Sequence, residues 1–139
     1  MKQKLNLKKI LSDVGLKSTE PRITVLKLLA ELKYPMTAQE MHKKLGKDKN
    51  DLVTLYRTLA SFEKTALVKR VNLQKDAVYY ELNSDHHHHI VCTDCGKVED
   101  FELCDVDHLT KKIVAKASNF KTIREHSLEL FGVCTVCAS

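Results

Sequence analysis

The sequence predicts an α+β chain of two parts. Residues 1–82 read as a winged helix, a helix-turn-helix followed by a β-hairpin wing. Residues 83–139 read as a small α/β dimerisation domain with a three-stranded sheet. Three observations carry this. Apolar residues recur at helical spacing through the first half and then give way to two short strand-like runs. Charge divides along the same line. Residues 1–80 hold 17 Lys and Arg against 8 Asp and Glu, residues 81–139 hold 6 against 10, and the net values of +9 and −4 make up the +5 of the whole chain. Finally, two Cys-x-x-Cys pairs, Cys92 with Cys95 and Cys134 with Cys137, bracket the strands and helix of the second part.

Leu7, Ile10, Leu11 and Val14 mark a first helix over residues 5–14, ended by Gly15. A second begins around Thr19-Glu20-Pro21, where Thr19 can cap and Pro21 suits the first turn. It runs through Ile23, Leu26, Leu29 and Ala30 and stops before Tyr34-Pro35. Thr37-Ala38-Gln39-Glu40 is a capping box that opens a short helix through Met41 and Leu45, closed by Gly46. Residues 47–50 form a polar turn, and a fourth helix starts from Asp51. Its Leu52, Leu55, Leu59 and Phe62 face inward; Thr54, Arg57, Thr58 and Ser61 point away; Val53 and Tyr56 lie at the margins. Residues 67–73 and 77–82 read as wing strands joined at Gln74-Lys75-Asp76. In the second part, residues 86–92, 98–103 and 120–131 read as strands, and residues 105–117 as a helix striped by Val106, Leu109, Ile113 and Ala117.

A basic winged helix suits DNA: one helix enters the major groove while lysines contact phosphates. Tyr56 and Arg57 are the candidates for base or phosphate contact, with Thr54, Lys17 and Arg22 as phosphate candidates. Four thiolates in two knuckles close a tetrahedral zinc site, so Cys92, Cys95, Cys134 and Cys137 are candidate ligands of a structural Zn2+. The competing readings are two disulfides or thiols that only fill a core. Cys104 is left over and reads as a small apolar core residue.

His86-His87-His88-His89 precede the first knuckle. Alternation along a strand puts His86 and His88 on one face, His87 and His89 on the other. Four adjacent residues can thus serve two sites. Glu81 and Asp100 are near in sequence for one, Asp107 and His126 for the other.

A three-stranded sheet leaves an edge, so a homodimer is expected, presenting two recognition helices to a palindromic site. At 139 residues the chain can bury a modest core, and with 4 Gly and 2 Pro it has little linker composition. No apolar run is long enough to span a bilayer and no signal-peptide pattern opens the chain. Reduced, metal-paired cysteines suit a cytoplasmic setting. An enzyme is disfavoured. No His-Glu-x-x-His pattern occurs, and Cys95-Gly96 leads into a strand, where a redox Cys-x-x-Cys opens a helix. A zinc-stabilised interaction module that never touches DNA is the alternative of another class.

With these residues in view, the chain resembles the ferric uptake regulator family over nearly its whole length. The likeness rests on residues 15–22 (Gly-Leu-Lys-Ser-Thr-Glu-Pro-Arg), residues 53–59 (Val-Thr-Leu-Tyr-Arg-Thr-Leu) and residues 86–97, the histidine run with its knuckle. His126-Ser127-Leu128 and Gly132-Val133-Cys134-Thr135-Val136-Cys137 complete it. The resemblance implies a homodimeric metal-responsive repressor with structural zinc on the four cysteines. It implies a regulatory hinge site at Glu81, His87, His89 and Asp100, holding Fe2+ or another divalent cation (Zn2+ or Mn2+). A further site is implied at His86, His88, Asp107 and His126. Zinc, manganese and peroxide sensors belong to the same family pattern. One departure stands out: the family adds a hinge histidine just before the third helix, and Leu32-Lys33-Tyr34-Pro35-Met36-Thr37 has none, the nearest being His42.

Overall fold

The computed structural model describes residues 6–32, 34–46, 51–83, 87–102 and 105–139. The turn expected at residues 47–50, and His86 and Cys104, lie outside the described residues. The chain falls into two compact units, Met1–Ser84 and Asp85–Ser139.

In the first unit, α1 (Leu7–Asp13) starts where the Asn6 side chain accepts a hydrogen bond from the N–H of Lys9. Helix α2 (Glu20–Leu32) follows. The expected capping box is present at α3 (Ala38–Leu45): Thr37 and Glu40 exchange side-chain bonds with each other's N–H, each at 3.1 Å. Gly46 ends that helix at φ +81°, donating its N–H to the His42 carbonyl. Helix α4 (Leu52–Lys64) opens on Asp51, whose carboxylate accepts from the Thr54 N–H at 2.6 Å. Leu11, Val25, Leu26, Leu29, Met36, Met41, Leu55, Leu59 and Phe62 close into one core.

Thr58 departs from its expected outward position; it is buried. At about 100° per residue it sits only about 40° around the helix from Phe62. Its hydroxyl donates to the Thr54 carbonyl at 2.9 Å, which satisfies it inside the core.

The wing is also more than a hairpin. Strand β1 (Met36–Thr37) pairs antiparallel with β3 (Tyr79–Leu82), which pairs antiparallel with β2 (Val68–Val71), giving the order β1-β3-β2. Both wing strands are shorter than their apolar runs. The chain passes from α4 to β2 through a Schellman turn. The Leu67 N–H reaches the Phe62 carbonyl at 2.8 Å and the Ala66 N–H reaches that of Glu63 at 3.0 Å, with Ala66 at φ +60°.

In the second unit, β4 (His88–Cys92) is central, antiparallel to β5 (Val98–Phe101) and parallel to β6 (Glu129–Gly132). Helix α5 (Val106–Lys116) provides the crossover between β5 and β6. Of the strand expected over residues 120–131, only residues 129–131 are extended, and Gly132 is added to them. Phe120 and Ile123 are exposed, and their partial alternation found no neighbouring strand. His87 stands just before β4 rather than in it.

Ala66 occupies the left-handed position where a Cβ is penalised by about 1–2 kcal/mol. The substitution Ala66→Gly should therefore raise stability by about 0.5–1 kcal/mol after the added entropy of the unfolded glycine. Urea denaturation reads this, and a loss of stability would contradict it.

Candidate metal centres and nucleic-acid face

Both cysteine pairs reach the same end of the sheet because β4 and β6 run parallel. Cys92, the last residue of β4, stands opposite Gly132, the last of β6. The Thr93 N–H donates to the Gly132 carbonyl at 2.8 Å and the Thr93 hydroxyl to the same oxygen at 3.2 Å. The first knuckle then folds back. Gly96 takes φ +79° and donates its N–H to the Cys92 carbonyl, and the Cys92 N–H donates to that of Lys97.

One sulfur from each of the four cysteines lies within 4.8 Å of the others, and Cys95 Sγ and Cys134 Sγ are 3.8 Å apart. A tetrahedral site with zinc–sulfur bonds of about 2.3 Å spaces its sulfurs about 3.8 Å apart. A disulfide would bring them to about 2.05 Å. All four thiols are free, so the disulfide reading fails and the donor set fits zinc.

The backbone prepares part of this cluster for charge. Cys92 Sγ accepts N–H bonds from Cys134 at 3.3 Å and Cys95 at 3.5 Å. These donors, Cys134 first, hold the Cys92 pKa down to about 6. The Cys137 N–H lowers the Cys134 thiol in the same way. Cys137 itself is pushed up to about 12, because its thiol hydrogen-bonds to the sulfur of Cys134 and then to that of Cys95.

The imidazoles separate by face. His89 stands opposite Asp100 across the β4–β5 ladder, with Nε2 and Oδ1 3.5 Å apart. The His87 ring meets the His89 ring edge-on at 5.0 Å between centroids. His88 stands opposite Phe101 and packs on its ring, and its Nε2 lies 3.4 Å from that of His126. His88 and His89 are both buried, 5% and 2% exposed, although adjacent in the chain. Among the described residues Asp100 pairs with His89 but does not complete a three-donor cluster with His87 and His89; imidazoles and carboxylates of this kind suit iron, zinc or manganese. On the second face, Asp107 lies exposed in the first turn of α5. Among the described residues it does not complete a three-donor cluster with His88 and His126. Glu81 belongs to the first unit, on β3; it is buried, and Lys69 Nζ lies 3.5 Å from its Oε1.

On α4, Tyr56 and Arg57 are exposed and Thr54 half-buried. Lys17 is exposed, and its carbonyl accepts a bond from the half-buried Arg22 at 3.1 Å. Two neighbours escaped the sequence reading. Gln39 of α3 donates to the Tyr56 hydroxyl at 3.1 Å, and Glu63 pairs with Arg70 between α4 and the wing. Neither carries a sequence signal, because both contacts join residues from different elements.

The model of the ferric uptake regulator family matches residues 13–131. The ferric uptake regulation protein of Haemophilus ducreyi is 37% identical over 133 residues, which cover 91% of this chain and 88% of that protein. The crystal structure of the Vibrio cholerae ferric uptake regulator superposes with a TM-score of 0.75 at 36% identity, covering 91% of this chain and 98% of that one. The Helicobacter pylori regulator, described as having three functional metal binding sites, gives 0.79 at 28% identity, covering 100% of this chain and 98% of that one.

Cys92 is a thiolate at neutral pH and brings no proton to the metal, whereas Cys137 must give one up. Zinc binding to the metal-free protein should thus release at least about one proton, and affinity should rise about tenfold per pH unit for each proton released. Acidification through about pH 6 protonates Cys92 as well and should steepen the loss. Calorimetry in buffers of different ionisation enthalpy measures this, and zinc binding without proton release would contradict it.

Proposed function

The chain belongs to the ferric uptake regulator family, and from that premise we propose an iron-responsive repressor that acts as a cytoplasmic homodimer on a palindromic DNA operator. As a family member the chain is a metal-responsive, DNA-binding transcription regulator. The observation that carries the proposal is β4, which bears His88 and His89 on opposite faces and ends on Cys92.

In this reading Cys92, Cys95, Cys134 and Cys137 hold structural zinc. Glu81, His87, His89 and Asp100 form the regulatory site, and His86, His88, Asp107 and His126 an additional one. A bound divalent cation supplies positive charge that carboxylates and neutral imidazoles share. Glu81 comes from the basic part and the other three regulatory ligands from the acidic part. Holding one charge in common restricts how the parts orient and favours the arrangement in which two recognition helices meet one duplex. Tyr56 and Arg57 then read bases or phosphates, and Thr54, Lys17 and Arg22 hold the backbone.

Dimerisation is supported by the second unit's surface. No residue of α5 is buried, and Leu109, Ile113, Ile90 and Leu130 are each more than two-fifths exposed. Such an apolar surface favours a partner copy. No helix among the described residues is long and apolar enough to cross a membrane.

Operator binding by the zinc-loaded protein should tighten about 5- to 150-fold on adding Fe2+ at fixed salt. Replacing His87 and His89 together should abolish that response and leave zinc at the thiolates. A double variant that still responds sinks the regulatory assignment, and a stronger response to Zn2+ or Mn2+ than to Fe2+ moves the sensed metal. The pair Leu109→Glu and Ile113→Glu should yield monomers in sedimentation velocity; an unchanged dimer would place the interface elsewhere.

A further inference from the structure

Strands β2 and β3 set Lys69 directly opposite Glu81. Opposite residues of an antiparallel pair share one face of the sheet, with Cβ atoms about 4.5–5.5 Å apart. Lys69 Nζ lies 3.5 Å from Glu81 Oε1; the lysine side chain is 38% exposed, the carboxylate side chain only 6%. A carboxylate this far from water is strongly disfavoured without a positive partner. Arg70, the next residue along β2, is engaged elsewhere: it pairs with Glu63 and lies over the Tyr80 ring at 5.8 Å.

We infer that Lys69 is a built-in counter-ion that occupies Glu81 in the metal-free protein and so sets the affinity of the regulatory site. The inference rests on Glu81 being a ligand of that site. Glu81 exchanges one cation for another: the ammonium leaves and a divalent ion is bound in its stead. The exchange keeps the buried carboxylate compensated in both states. It also makes metal binding work against an existing ion pair, which raises the concentration at which the site fills. Lysine suits this role. Its ammonium is a compact point charge on a flexible stem, and the exposed part of that stem lets it swing into water. No conformational change of the strands is required.

The test uses the full chain, loaded with zinc at the thiolates, and Mn2+ as the probe, titrated against a fluorescent chelator. Lys69→Met should bind Mn2+ about 3- to 10-fold more tightly, the range expected for losing a competing, partly exposed ion pair. Its metal-free form should melt at a lower temperature than the parent. Lys69→Arg keeps the charge and should bind within about twofold of the parent on the same basis. Lys69→Gln provides a second neutral variant should the methionine form fold poorly. Unchanged or weaker Mn2+ binding in both neutral variants overturns the inference. Glu81→Gln separates the two levels. Weakened binding in that variant supports the site, and combining it with Lys69→Met should then add nothing further. Unaltered Mn2+ affinity in Glu81→Gln overturns the regulatory assignment itself.

Discussion

Four cysteine sulfurs lie within 4.8 Å of one another, and a cation bound among their thiolates would turn mutual repulsion into cohesion. The second unit has little else to hold it. Among its described residues the buried side chains are Val91, Cys92 and the two imidazoles of β4, and its helix buries nothing. Most of its order comes from the sheet ladder, and the ladder and the sulfur cluster share one anchor. Thr93 donates twice to the Gly132 carbonyl, and the two knuckles leave the sheet from that point. The parallel pairing of β4 with β6 is therefore as much a property of the metal site as of the fold.

The first unit is organised differently. Its helices and wing share an apolar core running from Leu11 to Tyr80. Its polar contacts serve orientation. Gln39 braces Tyr56 across α3 and α4, and Glu63 with Arg70 ties the end of α4 to β2. The turn between them is closed by Phe62 and Glu63 carbonyls, so the recognition helix and the wing are joined by backbone as well as by charge. The face proposed to meet a duplex is thus held from both ends.

Much of this was legible in the sequence. The capping box at Thr37, the cap at Asp51, the breaks at Gly46 and Gly96 and the thiolate set follow from local chemistry, and local chemistry is written in consecutive residues. What was not legible depends on partners far along the chain. The two residues of β1 carry no period and become a strand only because Tyr79 and Tyr80 lie beside them. Residues 120–128 show partial alternation but join no strand among the described residues of their unit. Thr58 looks polar in a list and is buried because its hydroxyl finds a carbonyl one turn back. Ala66 hides the end of α4 because it takes the left-handed position that a glycine more often marks. The division of His88 from His87 and His89 by face was readable from alternation alone, whereas Asp107, expected beside His88 and His126, stands apart on its helix.

Adjacent donors on opposite faces of one strand have a consequence for how this chain can change. Sliding β4 by a single position would not displace its ligands slightly; it would exchange them, turning His88 toward Asp100 and His89 toward His126. Length changes of one residue between the histidine run and the first knuckle thus act as inversions. An evolving lineage can retune these positions by substitution, but it cannot drift through them one inserted residue at a time.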